Sequence, residues 1–517
     1  MVSASFGVVV LGSQTATGAV DTVTNCDGSG PGSLPAAVGG AASGDTISFS
    51  VSCPPGAPIA LASTIDVNRS LTIDGPGPGD LAVSGEGTVA VFDVDTAVEV
   101  NISGLTIEDG LAVNGGGIDN QKGTVDLTDS TLTGNAATDG GGGGIYNNAM
   151  LTVTDSTLED NTDGNGVGGG AIDNHMSGTT AVVGSTLTGN DTGSADGAGI
   201  ENTGTLSVTD SSVTANNANG YGAGLDNDGG TTSIEDSTLA SNVGFAGSGV
   251  LNSGSLTMAD STVADNSSPY ADGRDGGSGM YNDGGTMTIA NSTLWANGLR
   301  SGKVFPGGGI VNAGGSVSVA ASIIAESGST GDCSGPITDL GYNLDDDGTC
   351  GFSTVDGDVP DTAAGLDPAG LEGNGGPTET IALDSGSAAI GAVASASMCS
   401  TPDQRGVARP TPCDTGAVDV VVPRPEITSP DTATATSGAP FTFLVTTSGA
   451  PIPTIVKRGH LPRHVTFVNN RNGTATLSGV PKVKATTAYH LEVVVTFGKA
   501  RPRLVLTQSF TLTVDPD

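Results

Sequence analysis

The chain of 517 residues carries a formal net charge of −38, and only 3% of its residues are aromatic. Residues 1–423 contain seven Lys or Arg against 50 Asp or Glu. This part of the chain repels polyanions, so we expect neither nucleic acid nor an anionic lipid surface as a partner. The sequence also lacks an apolar stretch long enough to span a bilayer, which indicates a protein that is not transmembrane.

The start of the chain has part of the pattern of a signal peptide. Residues 6–11 are mostly apolar, and Thr17-Gly18-Ala19 offers the small residues at which such peptides are cleaved. The positively charged start of a complete signal peptide is missing, so an unstructured terminus is the alternative. We interpret residues 1–20 as a signal-peptide remnant, which indicates export.

Residues 21–100 are predicted to form an N-terminal cap and the first coils of a repeat structure. Period-2 alternation at residues 45–49, 70–74 and 89–94, between Gly and Pro turns, is typical of β-strands. A helix-like segment near residues 33–38 is expected to cover the open end, which an unclosed stack of strands must shield.

Residues 101–325 repeat one pattern eight times: glycines, an apolar residue, a variable residue and an asparagine. Each copy continues into an alternating run and a serine, and the copies begin 25 to 30 residues apart. The apolar residues that start them are Ile118, Ile145, Ile172, Ile200, Leu225, Val250, Met280 and Ile310. Self-similarity at this period is typical of a solenoid.

The composition of the repeats distinguishes between kinds of solenoid. A leucine-rich repeat needs leucine-rich or helical segments, whereas these repeats consist mainly of Gly, Thr, Ser, Asp and Asn. Three short strands per repeat, joined by tight turns, predict one coil of a right-handed parallel β-helix, an all-β fold. In the first regular coil, Ile118, Val125, Leu127 and Leu132 are expected to point inward.

Stacking the coils about 4.8 Å apart would place like residues on like and turn each interior position into a ladder. Two ladders of asparagine and one of serine are predicted. Their members are Asn120, Asn147, Asn174, Asn202, Asn227, Asn252, Asn282 and Asn312; Asn135, Asn161, Asn190, Asn216, Asn242, Asn266 and Asn297; and Ser130, Ser156, Ser185, Ser211, Ser237, Ser261, Ser292 and Ser322. We interpret these residues as scaffold, because buried amides can hydrogen-bond to the coils above and below.

The variable residue of each repeat is predicted to point outward and to form a ridge. The ridge consists of Asp119, Tyr146, Asp173, Glu201, Asp226, Leu251, Tyr281 and Val311. Neighbouring coils would hold Asp173 and Glu201 about 5 Å apart, with Asp226 one coil further, near the carboxyl separation used in glycoside hydrolysis. Tyr146 and Tyr281 could stack on sugar rings. Polysaccharide hydrolases and lyases use such a ridge on this fold, so catalysis by Asp173, Glu201 and Asp226 is one interpretation.

Other features of the repeats favour a non-catalytic protein. A lyase acting on an acidic polymer needs cationic groups, and residues 101–320 contain only Lys122, Arg274, Arg300 and Lys303. The coils are also regular, with modest insertions at residues 270–276 and 299–306, whereas enzymes on solenoids usually build long loops around a cleft.

Metal binding is a further candidate function. Asp-Gly turns at residues 139–140, 163–164 and 272–273 could associate weakly with Ca²⁺, but neither a nine-residue calcium repeat nor an EF-hand loop is present. We therefore predict no specific cofactor. The six cysteines fall into three local pairs, which predict disulfides and an oxidising compartment; the pairs are Cys26 with Cys53, Cys333 with Cys350, and Cys399 with Cys413.

Residues 326–420 depart from the repeat. The strings Cys333-Ser334-Gly335, Gly341-Tyr342-Asn343-Leu344 and Asp403-Gln404-Arg405-Gly406 lie in this region. Together with Gly375-Gly376-Pro377-Thr378 they resemble the choice-of-anchor Q region at the C-terminal end of bacterial secreted β-helix proteins. The resemblance implies an exported, cell-associated protein whose activity is mostly undefined within that family. The end of the sequence, Asp515-Pro516-Asp517, departs from the surface-attachment elements of the family.

Residues 421–425 are predicted to form a stiff Pro-containing linker. In residues 426–517, alternating runs at 441–445, 475–479, 489–495 and 509–514 predict a small β-sandwich. The strings Gly459-His460-Leu461-Pro462 and Asn472-Gly473-Thr474-Ala475-Thr476-Leu477-Ser478-Gly479 resemble a bacterial Ig-like domain related to cadherin-like modules. That resemblance implies an Ig-like spacer or adhesive module without an active site.

The sequence thus predicts an exported, non-catalytic cell-surface or extracellular protein with an adhesive or structural role. A polysaccharide or a cell-surface protein is the expected partner. The alternative is a polysaccharide hydrolase or lyase, and the oligomeric state is left open.

Overall fold

The computed structural model describes residues 18–51, 53–54, 56–164, 166–268, 277–299, 308–327, 331–420, 426–448, 453–497 and 504–516. Most of the predicted signal-peptide remnant, the linker 421–425, the turn at residues 272–273 and most of both insertions lie outside the described residues. The chain divides into two compact units, residues 1–419 and 420–517.

The first unit is a right-handed parallel β-helix of about 11 coils. Each regular coil contributes a first and a second strand to a 22-stranded sheet and a third strand to a 13-stranded sheet. The pairings between successive coils are parallel and join equivalent residues of the repeat, for example Ile118 with Ile145 and Leu132 with Leu158. The architecture predicted from the repeats is therefore confirmed.

The strand bounds follow the repeat. The first strands are Ile65–Asp66, Phe92–Val94, Ile118–Asn120, Ile145–Asn147, Ile172–Asn174, Ile200–Asn202, Leu225–Asn227, Val250–Asn252 and Cys333–Ser334. The second strands are Val20–Val23, Asp45–Phe49, Leu71–Asp74, Glu99–Ser103, Thr124–Thr128, Met150–Thr154, Thr179–Val183, Thr205–Thr209, Thr231–Glu235, Ser255–Ala259 and Thr338–Asp339, while Met280–Ala290 and Ile310–Ala320 run through both positions. The third strands are Ile59–Ala60, Ala82–Ser84, Thr106–Glu108, Thr131–Thr133, Thr157–Glu159, Thr186–Thr188, Ser212–Thr214, Thr238–Ala240, Thr262–Ala264, Thr293–Trp295, Ile323–Ala325, Leu344–Asp345 and Val359–Pro360. Short extra strands are Leu111–Ala112, Ala136–Ala137, Thr162–Asp163, Ser267–Ser268 and Gly298–Leu299.

The corners of each coil depend on residues that tolerate a left-handed backbone. Asp129 (φ 45°) precedes Ser130, and Gly134 (φ 64°) precedes Asn135. Asp, Asn and Gly adopt this conformation at the lowest cost, which explains why Asp recurs before the serine. Before the second asparagine, Ala215, Ser241 and Ala296 adopt it as well. Between the corners, Val125 and Leu127 of the second strand are fully buried in the central column.

The predicted ladders are present as continuous side-chain hydrogen bonds. In both asparagine ladders the Nδ2 of one coil donates to the Oδ1 of the next over 2.7 to 3.1 Å. In the serine ladder each backbone N–H donates to the hydroxyl one coil further on, over 3.1 to 3.3 Å. The interpretation of these residues as scaffold is confirmed.

The N-terminal end of the column is covered as predicted. Helix Leu34–Gly40, capped by the Ser33 side chain, buries Leu34 and Val38 against the first coils. A 3₁₀ helix, Thr354–Asp356, lies near the other end of the unit.

In the described part of the chain, no helix is long and apolar enough to cross a membrane. All three predicted disulfides form, and they use every cysteine of the chain.

Residues 361–419, which we call the strap, cover the third strands of the last coils. Leu366, Ile381 and Ala389 of the strap bury Ala264 and Ile323. The Gln404 side chain accepts from Thr262 Oγ1 over 2.6 Å and donates to Thr238 Oγ1 over 2.8 Å. Arg409 forms a buried ion pair with Asp260 over 2.8 Å. The Asp403-Gln404-Arg405-Gly406 string therefore holds the strap against the β-helix.

The second unit is a β-sandwich of two four-stranded sheets. One sheet contains Glu426–Ile427, Phe441–Ser448, Thr474–Gly479 and Val465–Asn469, and the other contains Thr432–Thr436, Leu504–Asp515, Thr487–Phe497 and Thr454–Arg458. Val445 and Leu477 of the first sheet and Ile455, Val495 and Phe510 of the second belong to one buried cluster. The predicted sandwich is confirmed, whereas its Ig-like relationship stays a prediction.

The ladders lead to a prediction about stability. Asn216→Ala should lower the free energy of unfolding by about 3 kcal/mol, because the Asn190 side-chain and backbone N–H groups, which both donate to Asn216 Oδ1, lose a buried acceptor. Its neighbour Asn217 is exposed, and Asn217→Ala should change the value by less than about 0.5 kcal/mol. Urea denaturation followed by circular dichroism measures both, and equal effects of the two substitutions would contradict the scaffold role.

Candidate functional site

The variable residues of the repeat lie in register along the first strands. Asp119 pairs with Tyr146, Tyr146 with Asp173, Asp173 with Glu201, and Glu201 with Asp226. We call these five residues the acidic row. The structure therefore brings the three carboxyl residues of the enzyme alternative onto adjacent coils, about 4.8 Å apart at the backbone.

The residues of this row point outward as predicted, but Asp173, Glu201 and Asp226 are not open to solvent. Asp173 is 1% exposed, Glu201 4% and Asp226 3%. Their side chains point away from the central column, as the alternation requires, but the backbone of the glycine-rich turns lies over them. In this conformation the three carboxyls do not form an open surface for a polymer.

Glycine is required where the turns cross the acidic row. A Cβ at Gly141 would lie 2.0 Å from Asp173 Oδ2, and a Cβ at Gly197 would lie 2.7 Å from Glu201 Oε2. Any side chain at these positions would collide with the carboxyls beneath. The glycines at the start of each repeat therefore permit close approach of the turn as well as its left-handed bend.

Asp163 fixes one of these turns. Its carboxylate is fully buried and accepts hydrogen bonds from the backbone N–H groups of Gly166 over 3.0 Å and Gly168 over 2.9 Å. Gly168 in turn lies against Glu201, because a Cβ at Gly168 would be 3.1 Å from Glu201 Oε2. Asp163-Gly164 is one of the three Asp-Gly turns that the sequence suggested for Ca²⁺ binding. In this turn the aspartate already accepts hydrogen bonds from backbone N–H groups.

Several carboxyl oxygens of the row lack hydrogen-bond partners, although Asp119 Oδ1 accepts from Gln121 Nε2 over 2.8 Å. Both oxygens of Asp173, Oε2 of Glu201 and Oδ1 of Asp226 are buried without a donor. Burial, followed by repulsion from Asp163, raises the pKa of Asp173 to about 7. Burial raises the pKa values of Glu201 and Asp226 well above the ordinary range, and the charge of Asp226 adds to the effect at Glu201. The row therefore holds protons at pH values where surface carboxyls are ionised.

The two tyrosines differ in their surroundings. Tyr146 is buried, and its ring centre lies 5.6 Å from that of His175. Burial and the nearby Asp173 raise the pKa of Tyr146 to about 12. Tyr281 is half-buried. Stacking of these rings on sugars stays a prediction, and the burial of Tyr146 leaves little of its ring at the surface.

A second surface, on the outer side of the second strands, was missed at the sequence level. Its first row consists of exposed residues in register, namely Thr179, Thr205, Thr231, Ser255, Thr286 and Ser316. A parallel row consists of Ser207, Ser233, Thr257, Thr288 and Ser318. We call these eleven residues the hydroxyl face. Its signal in the sequence is the outward half of each alternating run, such as Thr205-Leu206-Ser207.

The hydroxyl face differs in charge from the rest of the β-helix. The exposed residues of the strands that carry it include two charged side chains, Glu235 and Asp283. From Thr179 to Ser316 the first row crosses six coils, a distance of roughly 24 Å. An unbroken series of hydroxyl donors and acceptors is therefore presented on an otherwise strongly acidic unit.

Two groups of aspartates in the described ranges have a geometry that could hold a metal ion. One consists of Asp332, Asp345, Asp346 and Asp347, and the other of Asp339, Asp356 and Asp358. Both lie at the C-terminal end of the β-helix, away from the Asp-Gly turns considered from sequence. Neither group includes a residue of the acidic row.

Comparison of the chain with protein-family models gave no match, and comparisons with curated proteins and with solved structures gave none either. The resemblances of residues 326–420 and 426–517 therefore stay predictions.

The buried acidic row leads to a pH prediction. Between the ordinary pKa of Asp near 3.8 and the raised value near 7, the folded state binds more protons than the unfolded state, so stability falls as pH rises through this window. Asp173→Asn removes this dependence and should gain about 2 to 4 kcal/mol relative to the parent between pH 4 and pH 8. Chemical denaturation at pH 4, 6 and 8 measures the effect.

The exposed Asp155 provides the control for this experiment. Asp155→Asn makes the same chemical change at the surface and should follow the parent curve at every pH. A stability difference between Asp173→Asn and the parent that stays constant with pH would show that Asp173 is ionised in the folded protein.

Proposed function

We propose that this protein is an exported, non-catalytic adhesive or structural β-helix protein whose hydroxyl face holds a neutral polysaccharide. The observation that carries the proposal is the contrast between two surfaces of the same coils. The acidic row is closed by backbone, whereas the hydroxyl face is open, uncharged over most of its area and regular over six coils.

The chemistry of the hydroxyl face fits a polymer of neutral sugars. Each Ser or Thr offers one donor and two acceptor positions, which complement the hydroxyl groups that a polysaccharide repeats along its length. Many weak contacts in a row give useful avidity without a deep pocket. The net charge of −38 disfavours acidic polymers, so neutral glycans are the preferred class.

The disulfides support export. All six cysteines are paired, and such bonds form and persist in oxidising compartments. A location at the cell surface draws further support from the resemblance of residues 326–420 to a choice-of-anchor region. The Ig-like resemblance of residues 426–517 would supply a spacer or a second adhesive module.

The alternative is a polysaccharide hydrolase or lyase acting through Asp173, Glu201 and Asp226. Paired carboxyls with raised pKa values suit an acid catalyst. Such an enzyme would have to lift the glycine turns that contain Gly141, Gly168 and Gly197 before a sugar could reach the carboxyls. Binding to the hydroxyl face requires no such rearrangement.

The proposal predicts retention without turnover. The purified chain should bind insoluble neutral polysaccharides, release no reducing ends or unsaturated products, and bind acidic polymers at least tenfold more weakly. Thr205→Asp combined with Thr231→Asp places two neighbouring charges on the hydroxyl face and should weaken retention at least tenfold. Depletion binding with a reducing-end assay on the same samples measures both properties.

Two matched substitutions on the third strands provide the control. Thr186→Asp combined with Ser212→Asp also introduces neighbouring charges on adjacent coils, but on the other sheet. This variant should bind like the parent. Turnover that disappears in Asp173→Asn would establish the enzyme alternative, and equal loss of retention in both double variants would contradict the assignment to the hydroxyl face. No retention on any polymer would leave a cell-surface protein as the partner to seek.

A further inference from the structure

Four aspartates converge beside the Cys333–Cys350 disulfide at the C-terminal end of the β-helix. Asp332, Asp345, Asp346 and Asp347 each place a carboxylate oxygen within 4.8 Å of the others. Asp332 is 1% exposed and Asp345 is fully buried, whereas Asp347 is exposed. The group is therefore buried on one side and reachable from solvent on the other.

Backbone hydrogen bonds hold these carboxylates in place. Asp345 accepts from the N–H of Cys350 over 2.8 Å, and Asp347 accepts from the N–H of Asp332 over 3.2 Å. Asp332 Oδ1 accepts from the N–H of Ser327 over 3.0 Å. The orientation of the group is thus fixed by the chain before any ligand arrives.

One oxygen of the group is left without a partner. Asp332 Oδ2 is buried and has no hydrogen-bond donor. Its carboxyl lies against that of Asp346, so two acidic side chains face each other inside the group. An orphaned carboxylate oxygen is costly inside a protein, because neither water nor a donor replaces its hydration.

Within the described ranges, no cationic side chain forms an ion pair with the four carboxyls. The ion pairs formed by described residues involve Arg405, Arg409 and Arg458, and none includes a member of this group. Carboxylates held this close repel one another, and a cation bound among them would offset that repulsion.

We propose that Asp332, Asp345, Asp346 and Asp347 form a calcium site that ties together the last coils of the β-helix. The ligand set contains only oxygen, which hard divalent cations prefer. Ca²⁺ binds oxygen at about 2.3 to 2.6 Å, so its ligands lie at most about 5 Å apart, and the four oxygens fall inside that limit. Mg²⁺ usually keeps several waters and is bound through one or two carboxylates, so a set of four carboxylates favours Ca²⁺.

The ion would cross-link two segments that the disulfide already joins. Asp332 immediately precedes strand Cys333–Ser334, and Asp345 ends strand Leu344–Asp345. Binding to the folded state alone stabilises the fold in proportion to the logarithm of free calcium above its dissociation constant. The site therefore adds a calcium-dependent cross-link to the last coils of the β-helix. The strap follows these coils in the chain.

Calorimetric titration of the chelator-treated full chain with CaCl₂ in 0.15 M NaCl tests the proposal. The parent should bind one Ca²⁺ ion more than Asp332→Asn, and MgCl₂ should bind at this site at least tenfold more weakly. Addition of 2 mM CaCl₂ should raise the unfolding temperature of the parent by several degrees, and Asp332→Asn should lose most of this rise. Asp361→Asn, an exposed substitution in the same region, should behave like the parent.

A second variant guards against misfolding of the first. Asp346 is only half-buried, so Asp346→Asn should fold normally by circular dichroism and still lose one bound ion. Calcium binding and a temperature rise that are unchanged in both variants would overturn the proposal, because other acidic positions would then account for them. Absence of calcium binding by the folded parent would overturn it as well.

Discussion

The need to satisfy buried polar groups by stacking equivalent residues is the constraint on which this structure depends. Each coil places asparagine and serine in the interior, and each amide finds its partner in the same residue of the next coil. If a coil lost its register, buried N–H donors would lose their acceptors in the coils on both sides. Each unsatisfied donor costs more free energy than a typical hydrogen bond contributes. Regular stacking therefore follows from the chemistry of the corners, and the thin apolar column consists mainly of Val, Leu and Ile, with Phe92 and Phe352 as buried aromatic members.

The same regularity gives the two outer surfaces of the coils opposite characters. On the first strands, glycine turns approach so closely that Asp173 and Glu201 are buried beneath backbone without donors. On the second strands nothing in the first unit's described residues covers the Ser and Thr rows, which are exposed or half-buried. The carboxyls of the enzyme alternative are thus enclosed by backbone. The Ser and Thr rows, by contrast, are open to a ligand. This contrast supports an adhesive role more strongly than an enzymatic one.

Repetition determined which features the sequence could predict. Eight copies of one pattern identify the coils, the inward residues such as Leu127 and the ladder residues such as Asn216, and the cysteine pairs follow from their proximity in the chain. Alternation also predicts that Asp173 points away from the central column. The alternation pattern does not predict that a turn covers Asp173, because the turn consists of glycines, which have no side chain and therefore no inward or outward pattern. The strap lacks regular strands and therefore periodicity, and Asp332 meets Asp345 only through the stacking of the last coils.

The closure of the acidic row distinguishes an adhesive protein from an enzyme that acts through these carboxyls. Carbodiimide labelling of carboxyl groups in the folded chain, read residue by residue by mass spectrometry, tests it most directly, since both protonated and ionised carboxyls react once the reagent can reach them. If the glycine turns stay closed, Asp173, Glu201 and Asp226 are protected while exposed residues such as Asp155 and Asp160 are labelled. Labelling of Asp173 and Glu201 at the rate of Asp155 would contradict it and would show that the glycine turns open in solution.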